Sequence, residues 1–229
     1  MLGPMTTSLL PSVRLDPPGK ATHCVIWLHG LGADGNDFVP IVPELGLDRS
    51  LKVRFVFPHA PVMPVTLNGG MRMRAWYDIT ELNLKRTTDE PTIRANAQRV
   101  RDLIAHEQAE GIPSNRIALA GFSQGGALAL FTGLRHKDRL AGILGLSCYL
   151  LCDESFDAEL SAHNRDTPVF LAHGTHDPVV PVAGGDHAHS RLKQAGLPVE
   201  YATFPMQHEV CWDEIRAIGS FLNRCFEAV

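Results

Sequence analysis

The amino-acid sequence predicts an α/β protein: a mostly parallel central sheet with helices on both faces. Three observations carry that prediction. Strand-length apolar runs recur along the chain, at residues 23–29, 52–57, 116–122, 140–147, 168–174 and 199–204. Several of them are continuous rather than alternating, as in strands buried on both faces. Segments of helical length separate most of them, and strands alternating with helices imply parallel pairing through crossover helices.

In chain order, residues 9–15 read as a first edge strand, although Pro11 weakens that reading. The run at 23–29 ends in Gly30-Leu31-Gly32-Ala33-Asp34-Gly35. Residues 38–47 suit a short helix, with Asn36 or Asp37 as its cap. The strand at 52–57 runs into Pro58-His59-Ala60-Pro61, and residues 58–78 read as one long irregular stretch. Long loops in compact domains are usually functional. The clearest helix is 91–111, where Ile93, Ala97, Val100 and Ile104 make one apolar stripe. Pro91 fits its first turn and Gly111-Ile112-Pro113 stops it. Strand 116–122 is followed by a helix to about Leu134, then by strand 140–147. The polar segment 153–166 is a loop with room for a short helix. Strand 168–174, helix 184–195, strand 199–204 and a closing helix at 211–226 complete the order.

Composition bounds the rest. With 229 residues, 45% hydrophobic and 20% charged, the chain suits one soluble domain spanning 1–229. The net charge is −4 and no basic tract occurs, which argues against a nucleic-acid partner. No apolar run reaches membrane-span length. Met1 to Thr7 lacks the pattern of a signal peptide, and Met5 offers an alternative start. The five cysteines are odd in number and irregularly spaced, as expected of reduced thiols in a cytoplasmic protein. Cys148 and Cys152 have no second ligand pair, and His187 and His189 fall in a helical stretch as a solvated face, so no metal is expected.

The chemistry concentrates at Gly121-Phe122-Ser123-Gln124-Gly125. A buried strand turns there into a helix with Ser123 at the apex, and strand and helix approach so closely that Gly121 and Gly125 must be small. The helix N-terminus behind Ser123 offers N–H groups to a forming oxyanion. A bare Gly-x-Ser-x-Gly can be an ordinary turn, so its context decides. Gly30-x-Gly32-x-x-Gly35 fits a dinucleotide-binding fingerprint, but the next strand ends without the carboxylate that would hold a ribose. The other use of such a loop is to aim backbone N–H groups at an oxyanion. Ser123, Asp177 and His208 each follow a strand, in the chain order of α/β-hydrolases. Serine is a weak nucleophile until an imidazole takes its proton, and a carboxylate fixes the imidazole's tautomer.

Together, Leu28-His29-Gly30-Leu31-Gly32-Ala33-Asp34-Gly35, Phe57-Pro58-His59-Ala60-Pro61, Gly121-Phe122-Ser123-Gln124-Gly125-Gly126, His173-Gly174-Thr175-His176-Asp177-Pro178-Val179-Val180 and His208-Glu209-Val210 resemble the carboxylesterase and acyl-protein thioesterase family. The resemblance covers nearly the whole chain. It implies an α/β-hydrolase fold without a large lid, Ser123 as nucleophile, Asp177 as acid and His208 as base. It also implies an oxyanion hole from the backbone N–H groups of Leu31 and Gln124, and no cofactor. The expected activity is hydrolysis of short-to-medium acyl esters through an acyl-enzyme. Acyl-protein thioesterase or lysophospholipase activity on the same triad stays open, and a non-catalytic binding protein is disfavoured by the complete triad.

Two departures from the family pattern stand out. Gln207 replaces a glycine before the histidine, and Ser147-Cys148-Tyr149 replaces Ser-Gly-Tyr, which would bring Cys148 near the pocket. In the stretch 58–78, Met63, Met71, Met73 and Trp76 either pack a small satellite core or line an acyl groove. The resemblance places acyl chains near this region, so they are the expected substrate-binding residues.

Overall fold

The computed structural model describes residues 8–80 and 89–228. The reading of Met1 to Thr7 lies outside the described residues. Seven strands form one sheet in the order β1-β3-β2-β6-β7-β8-β9. They are β1 Ser12–Leu15, β2 His23–Leu28, β3 Val53–Pro58, β6 Ile117–Phe122, β7 Gly142–Leu146, β8 Val169–Gly174 and β9 Val199–Phe204. Only the edge strand β1 is antiparallel, paired with β3; the remaining neighbours run parallel. β1 is shorter than the apolar pattern from Leu9 suggests. The chain at Pro11 instead meets β3's end through its carbonyl, which accepts the His59 N–H at 2.8 Å.

Alternate residues of the strands feed two separate cores. Cys24, Ile26, Leu28, Ile117, Leu119 and Ile143 point to the face covered by α1 Glu90–Ala109, α2 Gln124–Leu134 and α4 Val182–Gln194. Val25, Trp27, Phe55, Phe57, Ala118, Ala120 and Leu144 point to the other face, closed by α5 Trp212–Glu227 and a 3-10 helix at Val39–Leu45. Because strand side chains alternate, a one-residue slip would exchange the two cores, which pins the register. α1 carries the expected stripe, with Ile93, Ala97, Val100 and Ile104 fully buried, and Asp89 caps it by accepting the Thr92 N–H at 3.3 Å.

Two local expectations are corrected. The segment after Phe38 winds as a 3-10 helix because Pro40 and Pro43 remove donors that an α-helix would use. Its cap is Phe38, without a side-chain bond; Asn36 bonds Asp34 instead and builds the turn before it. The stretch 58–78 is not irregular throughout. It contains an antiparallel hairpin, β4 Val62–Val65 with β5 Met71–Arg74, closed through Gly69 and Gly70 at positive φ. The polar segment 153–166 holds the one-turn helix α3 Phe156–Glu159 between two 3-10 turns.

Candidate active site

β6, the middle strand of the sheet, ends at Ser123 in a backbone conformation reserved for sharp turns, φ 54° and ψ −121°. A non-glycine residue at positive φ stores about 1–3 kcal/mol, and such strain persists only where surroundings over-determine it. Here glycines do so. A Cβ on Gly121 would overlap the Gly125 carbonyl, and a Cβ on Gly125 would overlap the carbonyls of Leu28 and His29. The Ser123 N–H also donates to Leu146 O at 2.8 Å, tying the turn to β7.

From this apex the hydrogen bonds run in one chain. Ser123 Oγ lies 2.9 Å from His208 Nε2. His208 Nδ1 donates to Asp177 Oδ2 at 2.6 Å. The other oxygen, Oδ1, accepts the N–H groups of Val179 and Val180, both at 2.8 Å. The Asp177 side chain is fully buried, so these bonds hold it without competition from water. His173 supports the same turn: its Nε2 donates to Val180 O at 2.8 Å and lies 3.6 Å from Asp177 Oδ2. Burial pushes the His173 imidazole below its usual range. The histidine loop is seated by Gly174, whose missing Cβ leaves room for the carbonyls of Met206 and Gln207. Gln207 is not at positive φ, so the residue that replaces a glycine here carries no backbone strain. Phe122 packs on the His208 ring with centroids 4.7 Å apart.

The loop after β2 faces this chain. Gly32 N–H donates to Arg74 O and Ala33 N–H to Gly30 O. The N–H of Leu31, between them, has no backbone acceptor among the described residues. Gln124 opens α2, so its N–H has no partner within the helix. Both residues line a cleft of about 410 Å³ together with Ser123 and His208. The remaining walls are mostly apolar: Leu67, Ile79, Phe122, Tyr149, Val179 and Val180, with Asn68 and Asp37 as polar points. Burial, and then the neighbouring Asp34, pushes the Asp37 carboxyl above its usual range.

Met63, Met71, Met73 and Trp76, expected to line an acyl groove, are not among the lining residues of this cleft. Met71 is 64% exposed, and Met63 faces Met73 across the hairpin. Trp76 is wholly buried and belongs to the core beneath the cleft. The same stretch supplies Leu67, Asn68 and Ile79 instead. Cys148 is buried behind the elbow, packed against Gly126 and Gly145; its neighbour Tyr149 reaches the cleft. Val179 and Val180 were discoverable, since residues directly after a strand-end aspartate must lie beside it. Leu67 and Ile79 carried no local signal.

Residues 14–226 match the model of the Phospholipase/Carboxylesterase family. The chain belongs to that family. It is a serine hydrolase with the α/β-hydrolase fold. Among its relatives, acyl-protein thioesterase 1 of Neurospora crassa is 41% identical over 223 residues, covering 93% of this chain and 91% of the relative. Acyl-protein thioesterase 1 of Yarrowia lipolytica is 44% identical over 174 residues, 74% of this chain and 76% of the relative. The crystal structure of Arabidopsis thaliana SOBER1 superposes with a TM-score of 0.83 at 31% identity, covering 89% of this chain and 98% of that one. Among the described residues, no helix is long and apolar enough to cross a membrane.

Proposed function

We propose that this family member hydrolyses acyl thioesters and carboxylic esters through an acyl-enzyme on Ser123. The observation that carries the reading is the unbroken chain from Asp177 through His208 to Ser123 Oγ, ending at an apolar cleft. Ser123 Oγ attacks the acyl carbonyl while its proton passes to His208 Nε2. The carbonyl electron pair moves to oxygen, where the N–H groups of Leu31 and Gln124 receive the charge. The tetrahedral species collapses, the C–S or C–O bond breaks, and His208 gives its proton to the leaving thiol or alcohol. Water then attacks the acyl-enzyme by the same route and releases the acid. Asp177 keeps Nδ1 protonated, so that Nε2 is the free base when Ser123 must be activated.

The thioester arm is supported by relatives named acyl-protein thioesterases; the ester arm by the family. For the acyl group, Leu67, Ile79 and Tyr149 offer an apolar wall. Each methylene laid on it gains up to about 0.8 kcal/mol, or roughly fourfold in kcat/KM. The test is a matched panel of p-nitrophenyl esters and N-acetylcysteamine thioesters from C2 to C16, with fluorophosphonate labelling of the same protein. Turnover that rises with chain length, and one label on Ser123, is the expected result. A label elsewhere, or turnover falling steadily from acetyl onward, overturns the assignment.

A further inference from the structure

The two N–H groups assigned to the oxyanion come from different loops, and the sheet stops short of both. The last β2–β6 pair is Leu28 with Gly121, so Leu31 and Gln124 lie beyond the ladder. A donor pair works only if it is spaced for the tetrahedral oxygen before the reaction begins. Something other than the sheet must set that spacing.

We propose that residues 74–77 are a brace that sets the distance between the two oxyanion donors, with Trp76 and the Gln124 side chain as its positioning residues. The proposal rests on the hydrolase reading above. Four bonds tie this one segment to both loops. On the Leu31 side, Arg74 O accepts the Gly32 N–H at 2.9 Å, and the Trp76 indole Nε1 donates to His29 O at 2.9 Å. On the Gln124 side, Oε1 accepts the Trp76 backbone N–H at 2.7 Å and Nε2 donates to Tyr77 O at 2.7 Å. Asn96 on α1 anchors the segment to the core by donating to Trp76 O at 2.6 Å.

Trp76, Gln124, Asn96 and His29 are each no more than 2% exposed, so water does not compete for these bonds. His29 extends the brace: Nδ1 donates to Gly30 O at 2.7 Å and Nε2 accepts the Ala60 N–H at 3.0 Å. The Nε2 bond needs the neutral ring, and burial favours that form. A tryptophan that merely filled space would need one acceptor for its indole. This one sits with its ring and its backbone bonded to opposite sides of the oxyanion site.

The experiment compares wild type with Trp76→Phe, which drops the indole N–H, and Gln124→Met, which keeps side-chain length and drops both side-chain bonds. For an ester substrate, kcat should fall about 10- to 100-fold in each, below the cost of deleting a donor outright, with KM within twofold. The affinity for a trifluoromethyl ketone, whose adduct on serine carries an oxyanion, should fall by the same factor as kcat/KM. Circular dichroism and Tm report folding; if Gln124→Met does not fold, Trp76→Phe alone decides. Wild-type kcat in the folded variants, or a loss confined to KM, overturns the brace while the hydrolase reading stands. Wild-type protein that neither turns over the ester nor takes a fluorophosphonate overturns both.

Discussion

The two sides of the cleft are built by different physics. Ser123, Asp177 and His208 hang from the ends of parallel strands β6, β8 and β9, and their loops pass where backbone touches backbone. The opposite wall is made by residues 58–80, a two-stranded hairpin and its flanks, held by side-chain hydrogen bonds and exposed along much of its length. The first side is closed to side chains of any size; the second is tolerant outside, with a few buried clamps inside. In the reaction proposed above, the chemistry sits on the first side and the wall offered to variable acyl groups on the second.

The largest effect that sharpens this contrast is catalytic. Ser123→Ala is expected to lower kcat by 10⁴-fold or more, and Asp177→Asn by about 10⁴-fold by leaving His208 in the wrong tautomer. Steady-state kinetics and fluorophosphonate labelling read both. Near-normal turnover in either would move the chemistry away from the strand ends.

Stability should separate the sides next. Gly125→Ala drives a Cβ into two carbonyls and should destabilise by about 3 kcal/mol or more, a Tm drop of roughly 10 °C. Gly70→Ala meets no atom within 4 Å and bears only the cost of φ +79°, about 1–2 kcal/mol, or roughly 2–8 °C. Equal drops in thermal denaturation would erase the distinction. Smaller still, Leu67→Ala and Ile79→Ala should lower kcat/KM several-fold on long acyl chains and leave acetyl esters within twofold. A uniform loss across chain lengths would mean that these residues brace the fold rather than meet the acyl group.

The last comparison is a pH dependence on the sheet side. Glu214, in the first turn of α5, is fully buried, and that burial pushes its carboxyl up to about 8 against the pull of the Cys211 backbone N–H. Between the unfolded value of 4.5 and about 8 the folded chain holds one proton that the unfolded chain has released. Raising pH through that window therefore favours unfolding. Glu214→Gln removes that proton exchange, so its Tm should rise relative to wild type as pH goes from 5 to 8.5. A gap that stays constant with pH would place the ionisation elsewhere.

How much the sequence revealed follows the same division. Parallel strands buried on both faces announce themselves as continuous apolar runs, and the elbow demands glycines at Gly121 and Gly125, so sheet, helices and elbow were legible locally. The hairpin was not. Pro64 argues against a strand, β4 and β5 are four residues each, and only Asn68-Gly69-Gly70 hinted at the turn. By local pattern Trp76 suits an acyl groove, as methionines and an aromatic in an irregular stretch do. Its burial is decided by bonds to His29 and Gln124, 47 and 48 residues away, which no local pattern contains. The 3-10 helix before Gly46 departs from the apolar spacing for a simpler reason: the missing donors of Pro40 and Pro43 outweigh it.

The closing helix α5 has a consequence for the chain as it is made. Its residues Ile215, Ile218, Phe221 and Leu222 complete the second core, and His208 lies only three residues before its cap at Cys211. On a ribosome, Ser123 emerges 85 residues ahead of the histidine that would activate it. Until α5 has docked, one face of the sheet stays open. By the reaction proposed above, a nascent chain carries Ser123 without its base for those 85 residues, and activity should arise only once α5 has docked.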